Sequence, residues 1–128
     1  MRLKPLYDGY TVKLPNGHGE MEDIGELRSS RAVARLVEAK AFLYEDEEGT
    51  LSVRLEPKSR GSEVGYWVAY KRSQGRLYKA YVCDAYALDP YDLDVAARRL
   101  FERIDDMQRE LCEADNLQTS RTERHTHG

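Results

Sequence analysis

The chain has 128 residues, 41% of them hydrophobic and 34% charged, with a formal net charge of -3. That length supports one domain built on one economical core, and the net charge excludes a wholly basic nucleic-acid coat protein while leaving room for local patches. No apolar run approaches the roughly 18 residues that span a bilayer, and Met1-Arg2-Leu3-Lys4-Pro5 leads into no apolar signal-peptide core. The expected compartment is therefore the cytoplasm, with no membrane partner. Cys83 and Cys112, distant from each other, read as free thiols serving as small hydrophobes rather than as a disulfide. No CxxC or HExxH spacing marks a metal site.

Taken in chain order, Tyr10-Thr11-Val12-Lys13-Leu14 reads as a strand closed by a turn at Pro15–Gly17. It has no apolar partner nearby, so residues 1–28 read as an N-terminal arm and turn region, with Glu20–Glu26 acidic and turn-like. Val33, Leu36 and Val37 stand at i, i+3 and i+4, one apolar stripe of a short helix with Ser29 or Ser30 as its N-cap. Ala41–Tyr44 is strand-like, Glu45–Gly49 is a charged turn, and Leu51–Glu56 alternates strictly, the period of a half-buried strand. Pro57–Glu63 follows as a loop.

The strongest local signal is a hairpin over Gly65–Val82. Two aromatic and β-branched runs flank Ser73-Gln74-Gly75, and Gly75 suits the second central position of a two-residue turn that needs positive φ. Ser73 then pairs with Arg76 and Ala69 with Ala80. One face carries Trp67, Ala69, Tyr78, Ala80 and Val82; the other carries Tyr66, Val68, Tyr70, Arg72, Leu77, Lys79 and Tyr81. The two alanines leave a flat floor for a helix. That helix opens with Asp89 as N-cap, Pro90 at the first position and Asp92 near the positive end of the dipole. It runs through Leu93, Ala97, Leu100, Ile104, Met107 and Leu111 at helical spacing, with Phe101 beside the stripe.

Together these elements predict an α+β fold: a small antiparallel sheet of about three to four strands, covered on one face by a long C-terminal helix, with a short N-terminal helix. The expected organisation is a single domain over 29–114 and a disordered polar tail over 115–128; the tail includes His125 and His127, read as tail residues rather than metal ligands.

Charge divides along the chain. Arg54 to Lys79 holds seven bases against two acids, a balance of +5; Ala80 to Asp115 holds ten acids against four bases, a balance of -6. A basic sheet backed by an acidic helix can meet phosphates with Lys and Arg and lay Tyr rings against sugars or bases. The residues expected to do so are Arg54, Tyr66, Tyr70, Arg72, Arg76, Lys79 and Tyr81. Alternating charge that merely solvates a sheet is the plainer alternative.

Leu36–Leu100 resembles a domain at the front of bacterial LuxR-type, maltose-regulator-like transcription activators, also found as short stand-alone proteins. The resemblance rests on Leu36, Phe42-Leu43-Tyr44, Gly49 and Ser52-Val53-Arg54-Leu55-Glu56. It continues through Tyr66-Trp67-Val68-Ala69-Tyr70-Lys71-Arg72, Gly75-Arg76-Leu77-Tyr78-Lys79-Ala80-Tyr81-Val82 and Leu88. Where that pattern continues Leu-Gly-Lys-Ser, this chain has Val82-Cys83-Asp84-Ala85, and Arg35 stands in place of a Trp. The hairpin and following helix also resemble the three-stranded-sheet-plus-helix DNA-binding domains of plant ethylene-response factors and the arm-binding domains of tyrosine recombinases, which lay the sheet in the major groove; this is a likeness of architecture.

The resulting expectation is a non-catalytic nucleic-acid-binding module, with DNA as the partner and an accessory or regulatory role. The alternative is a protein-interaction or sensory module using the same face, since Tyr and Arg favour protein interfaces too. No glycine-rich phosphate loop, nucleophile elbow or histidine–carboxylate constellation is present. His18 sits alone in a turn, so no enzyme activity, cofactor or metal is expected.

Overall fold

The structure is a computed structural model that describes residues 3–58 and 65–127, with side chains described as far as Glu113. Most of the loop expected over Pro57–Glu63 lies outside the described residues. The elements are β1 (Leu6–Tyr7), β2 (Val12–Pro15), β3 (Met21–Gly25), α1 (Ser30–Ala39), β4 (Ala41–Asp46), β5 (Gly49–Pro57), β6 (Gly65–Ser73), β7 (Arg76–Asp84), a 3-10 turn at Ala85–Ala87, and α2 (Pro90–His127).

The fold is α+β, and its sheet is larger than the sequence suggested. Among the described residues, seven strands lie in the order β3-β2-β1-β4-β5-β6-β7, where three or four had been expected. The sheet is also mixed rather than antiparallel, because β1 runs parallel to β4 and pairs Leu6 with Leu43 and Tyr7 with Tyr44. The additional strands come from the segment read as an arm. Tyr7, Val12 and Leu14 are buried in the common core, with Tyr7 stacked on Tyr44 at 5.5 Å between ring centroids. The acidic segment read as a turn contains β3, an edge strand paired with β2. Its Glu22 and Asp23 are exposed, which suits an edge strand that must discourage further pairing.

α1 forms where the apolar stripe predicts. The Ser29 hydroxyl accepts from the Ala32 N–H at 3.1 Å, and Ala32, Val33 and Leu36 are buried. The helix stops at Lys40, which adopts left-handed φ 67° and donates its N–H to the Leu36 carbonyl at 2.9 Å. The chain then enters β4 directly.

The hairpin register agrees with the sequence reading: Ser73 pairs with Arg76 and Ala69 with Ala80. Gln74 and Gly75 both have positive φ, 50° and 77°, the geometry of a twisted two-residue turn. Gly65 is needed at the other end of β6 for a different reason. A Cβ there would stand 1.9 Å from the Glu56 carbonyl oxygen, so only glycine allows this approach of β6 to β5.

One feature of the hairpin escapes strict alternation. A bulge between Trp67 and Val68 makes Trp67 pair with Cys83 instead of Val82. Val82 and Cys83 are both buried as a result, and Asp84 is moved onto the face that carries Tyr66. Trp67 is fully buried, meets Phe42 edge-on at 5.2 Å, and donates its indole N–H to the Ala85 carbonyl at 2.8 Å.

α2 packs on β6 and β7. The Asp89 carboxylate accepts from the Tyr91 N–H at 2.7 Å at the helix start, the capping role its position implies. Leu93, Ala96, Ala97, Leu100, Phe101 and Ile104 are buried. They meet the face carrying Ala69 and Ala80, where two small side chains leave room for a close approach. Leu111, in the same stripe, is 48% exposed, so the covering contact ends near Ile104. The backbone is helical to His127; for the segment 115–128, read from sequence as a tail, the side chains lie outside those described. Among the described residues, no helix is long and apolar enough to cross a membrane.

α1, α2 and the core side chains of the sheet form one buried cluster. All the helical cover is therefore on one face of the sheet. The opposite face of β4–β7 carries no layer among the described residues.

Candidate functional site: the uncovered sheet face

Strand register arranges this face in rows. Near the hairpin turn, Arg72 lies opposite Leu77. The next row runs Leu6, Leu43, Ser52, Tyr70, Lys79. After it come Ala41, Arg54, Val68, Tyr81, and then Glu56, Tyr66, Asp84. Six of the seven side chains singled out from the sequence thus share one face: Arg54, Tyr66, Tyr70, Arg72, Lys79 and Tyr81.

Arg76 does not join them. It belongs to the row of Tyr78 and Ala80, on the helix side, and its guanidinium lies 3.8 Å from the Met107 sulfur of α2. The parity of the strand requires this, since an even-numbered residue of β7 before the bulge faces the core layer. Its charge counts toward the segment's +5 but not toward the open face.

The aromatic side chains form an ordered surface. Tyr66 and Tyr81 face each other across β6 and β7 with ring centroids 5.7 Å apart and planes tilted by 43°. Tyr81 is 56% exposed. The Tyr70 hydroxyl donates to Glu56 Oε1 at 2.5 Å. Tyr70 lies opposite Ser52, and Glu56 lies four residues further along β5, in the next row but one. The Tyr70 side chain therefore crosses the row that contains Arg54 and Val68. This explains why Val68 is buried although it sits on the open side. The hydrogen bond to Glu56, with lesser contributions from burial, pushes the Tyr70 phenol up to about 12.

Two carboxylates belong to the same face and were not singled out from sequence. Glu56 holds Tyr70. Asp84 pairs with Lys58 at 3.0 Å and accepts from the Tyr81 hydroxyl at 3.2 Å, and these partners, Lys58 first, hold its carboxyl below the usual aspartate value. The strict alternation of Leu51–Glu56 already placed Glu56 beside Arg54. Asp84 could not be placed the same way, because its side is set by the bulge. Arg54, Arg72 and Lys79 enter none of the ion pairs among the described residues. The face thus carries Arg72 toward the turn, Lys79 and Arg54 in the rows of Tyr70 and Tyr81, and Tyr66 with a carboxylate on either side at the far end.

The rim of the sheet at β7 is also partly occupied. Arg103, on α2, donates its guanidinium N–H to the Lys79 carbonyl at 2.8 Å, capping an outward backbone group that would otherwise be open to another strand. Among the described residues, no group of three or more His, Cys, Asp or Glu side chains is placed to hold a metal ion.

The fold and this face define an α+β chain with a one-sided sheet. No family model matches it, and neither a curated protein nor a solved structure does.

Proposed function

We propose that the chain is a non-catalytic binding module whose uncovered β5–β7 face takes nucleic acid, in an accessory or regulatory role. The observation that carries this reading is the co-location of Arg54, Arg72 and Lys79 with the half-buried Tyr66 and Tyr70 and the exposed Tyr81 on the sheet face that has no helical cover among the described residues. Cations supply the sequence-independent attraction for phosphates, and tyrosine rings supply planar surfaces for bases or sugars. The acidic side chains of α2 are directed away from the site because α2 packs on the other side of the sheet.

Three cations correspond to a log–log salt slope of roughly -2 for a single strand and about -3 for a duplex. Fluorescence anisotropy with labelled oligonucleotides across a salt series measures it. Lys79→Ala should reduce the slope by about one. Arg76→Ala and Glu102→Gln should leave it unchanged, because both side chains lie on the helix side. Equal effects of Lys79→Ala and Arg76→Ala would remove the basis of the proposal.

Glu56 and Asp84 favour a second reading, in which the face holds a protein. Carboxylates beside cations suit a mixed-charge protein partner better than a bare phosphate backbone. That reading expects no salt-dependent binding to any oligonucleotide.

A further inference from the structure

Building on the nucleic-acid reading of this face, we infer that its ligand is a single strand rather than a duplex. The strand would run along β6 and β7, with its phosphates toward Arg72, Lys79 and Arg54 and its bases at Tyr81 and Tyr66.

The width of the sheet disfavours a duplex. β4 to β7 are strands of six to nine residues, and at a spacing of about 4.8 Å they alone span about 14 Å before side chains are added. β1, β2 and β3 extend the same sheet to about 29 Å between its outer strands. The major groove is about 12 Å wide and accepts a helix or a two-stranded ribbon. A three-stranded sheet standing alone is a different object from this one, whose reading face continues into β4 and β1 without a break.

The placement of charge disfavours a duplex as well. A duplex lying across the face would bring backbone phosphates against Glu56 and Asp84, which flank Tyr66 in its row. Like charges there disfavour contact. A single strand can turn its bases toward the protein instead, and base N–H groups are donors that carboxylates accept. Glu56 is held in place for this by Tyr70, which occupies Oε1 and leaves Oε2 as a further acceptor.

Order along the strands points the same way. Arg72 and Tyr66 stand at opposite ends of the face, six residues apart on β6, about 20 Å. Between them Lys79 shares a row with Tyr70 and Arg54 shares one with Tyr81, so each ring in the middle of the face has a cation in its own row. Tyr81 presents a ring that is more than half exposed and already steadied by Tyr66 and Asp84. An unpaired base can stack on it; a base inside a duplex has no free face to offer.

The test is anisotropy at low and moderate salt with four probes: a 12-nucleotide DNA of mixed sequence, the same strand annealed to its complement, the RNA of that sequence, and the RNA–RNA duplex. Either single strand should bind at least about tenfold more tightly than its duplex. Tyr81→Ala, checked for an unchanged melting temperature, should weaken single-strand binding by about 5- to 150-fold, the range for loss of one stacked base, with little change in salt slope. Duplexes binding as tightly as single strands would overturn the inference while leaving the nucleic-acid reading intact. Single-strand binding that is indifferent to Tyr81→Ala would also overturn it. If no probe binds even at low salt, the reading on which the inference rests falls, and the protein-partner reading takes its place.

Discussion

Leu100 and Leu111 belong to one apolar stripe in the sequence, yet the structure separates them sharply, and a pair of substitutions makes the difference measurable. Leu100 is 0% exposed and Leu111 is 48% exposed. Truncating a buried leucine to alanine costs about 2–5 kcal/mol, the higher values arising where the surroundings cannot relax into the space left. The sheet surface beneath α2 presents Ala69 and Ala80, and Ala96 and Ala97 are buried within the helix, so small side chains line part of the space that Leu100 fills. Phe101 and Ile104 are longer buried neighbours on the same helix, so Leu100→Ala should cost about 2–5 kcal/mol. At about 4 °C per kcal/mol, that lowers the melting temperature by roughly 8–20 °C. Leu111→Ala should stay within about 0.5–1 kcal/mol of the parent. Urea melts monitored by Trp67 fluorescence measure both, with the m-value checked for constancy. Comparable losses in the two variants would refute the conclusion that α2 covers the sheet only as far as about Ile104.

Further outcomes follow from single features. Gly65→Ala should destabilise the fold by at least about 2 kcal/mol in the same assay, because its Cβ has no room beside the Glu56 carbonyl. Tyr44, through burial, and Tyr70, through its bond to Glu56, are both pushed up to about 12 from 10.0. The folded state therefore favours the neutral phenols, and this stabilisation is complete below pH 10 and lost as pH rises toward 12; Glu56→Gln should reduce the loss in denaturant melts between about pH 9 and 12. Cys83 is buried and its thiol is pushed up to about 12 by that burial, whereas Cys112 is exposed. A native-state thiol assay should therefore count one reactive cysteine, and a denatured sample two.

The parts of this fold legible in the sequence were those with a strong local period. Alternating residues and Gly75 set the β6–β7 register, and the spacing of Leu93, Ala97, Leu100 and Ile104 gave the cover of α2. The N-terminal strands were harder to read for a physical reason. β1 has only two residues and pairs with β4, more than thirty positions away in sequence, so its partner cannot be inferred from neighbours. β3 is an edge strand whose exposed acids erase the apolar signal. The site was legible to the extent that strict parity held. Parity gave the common face of Tyr66, Tyr70, Arg72, Lys79 and Tyr81, and when applied to Arg76 it also gives the helix side. Asp84 was unreadable because one extra residue at the bulge changes its side. Segment charge, finally, overstated the face: it counted Arg76, which points elsewhere, and did not show that Glu56 and Asp84 stand among the cations.

Whether nucleic acid binds the uncovered face of β5–β7 can be read residue by residue, by titrating a short single-stranded oligonucleotide into 15N-labelled protein and following amide shifts in two-dimensional NMR spectra. Saturable shifts should concentrate on Ser52–Glu56, Tyr66–Arg72 and Leu77–Asp84 and fade as salt is raised, with the amides of α2 from Arg98 to Glu110 nearly unmoved. Shifts centred on α2, or on the β1–β3 side of the sheet, would contradict binding at this face.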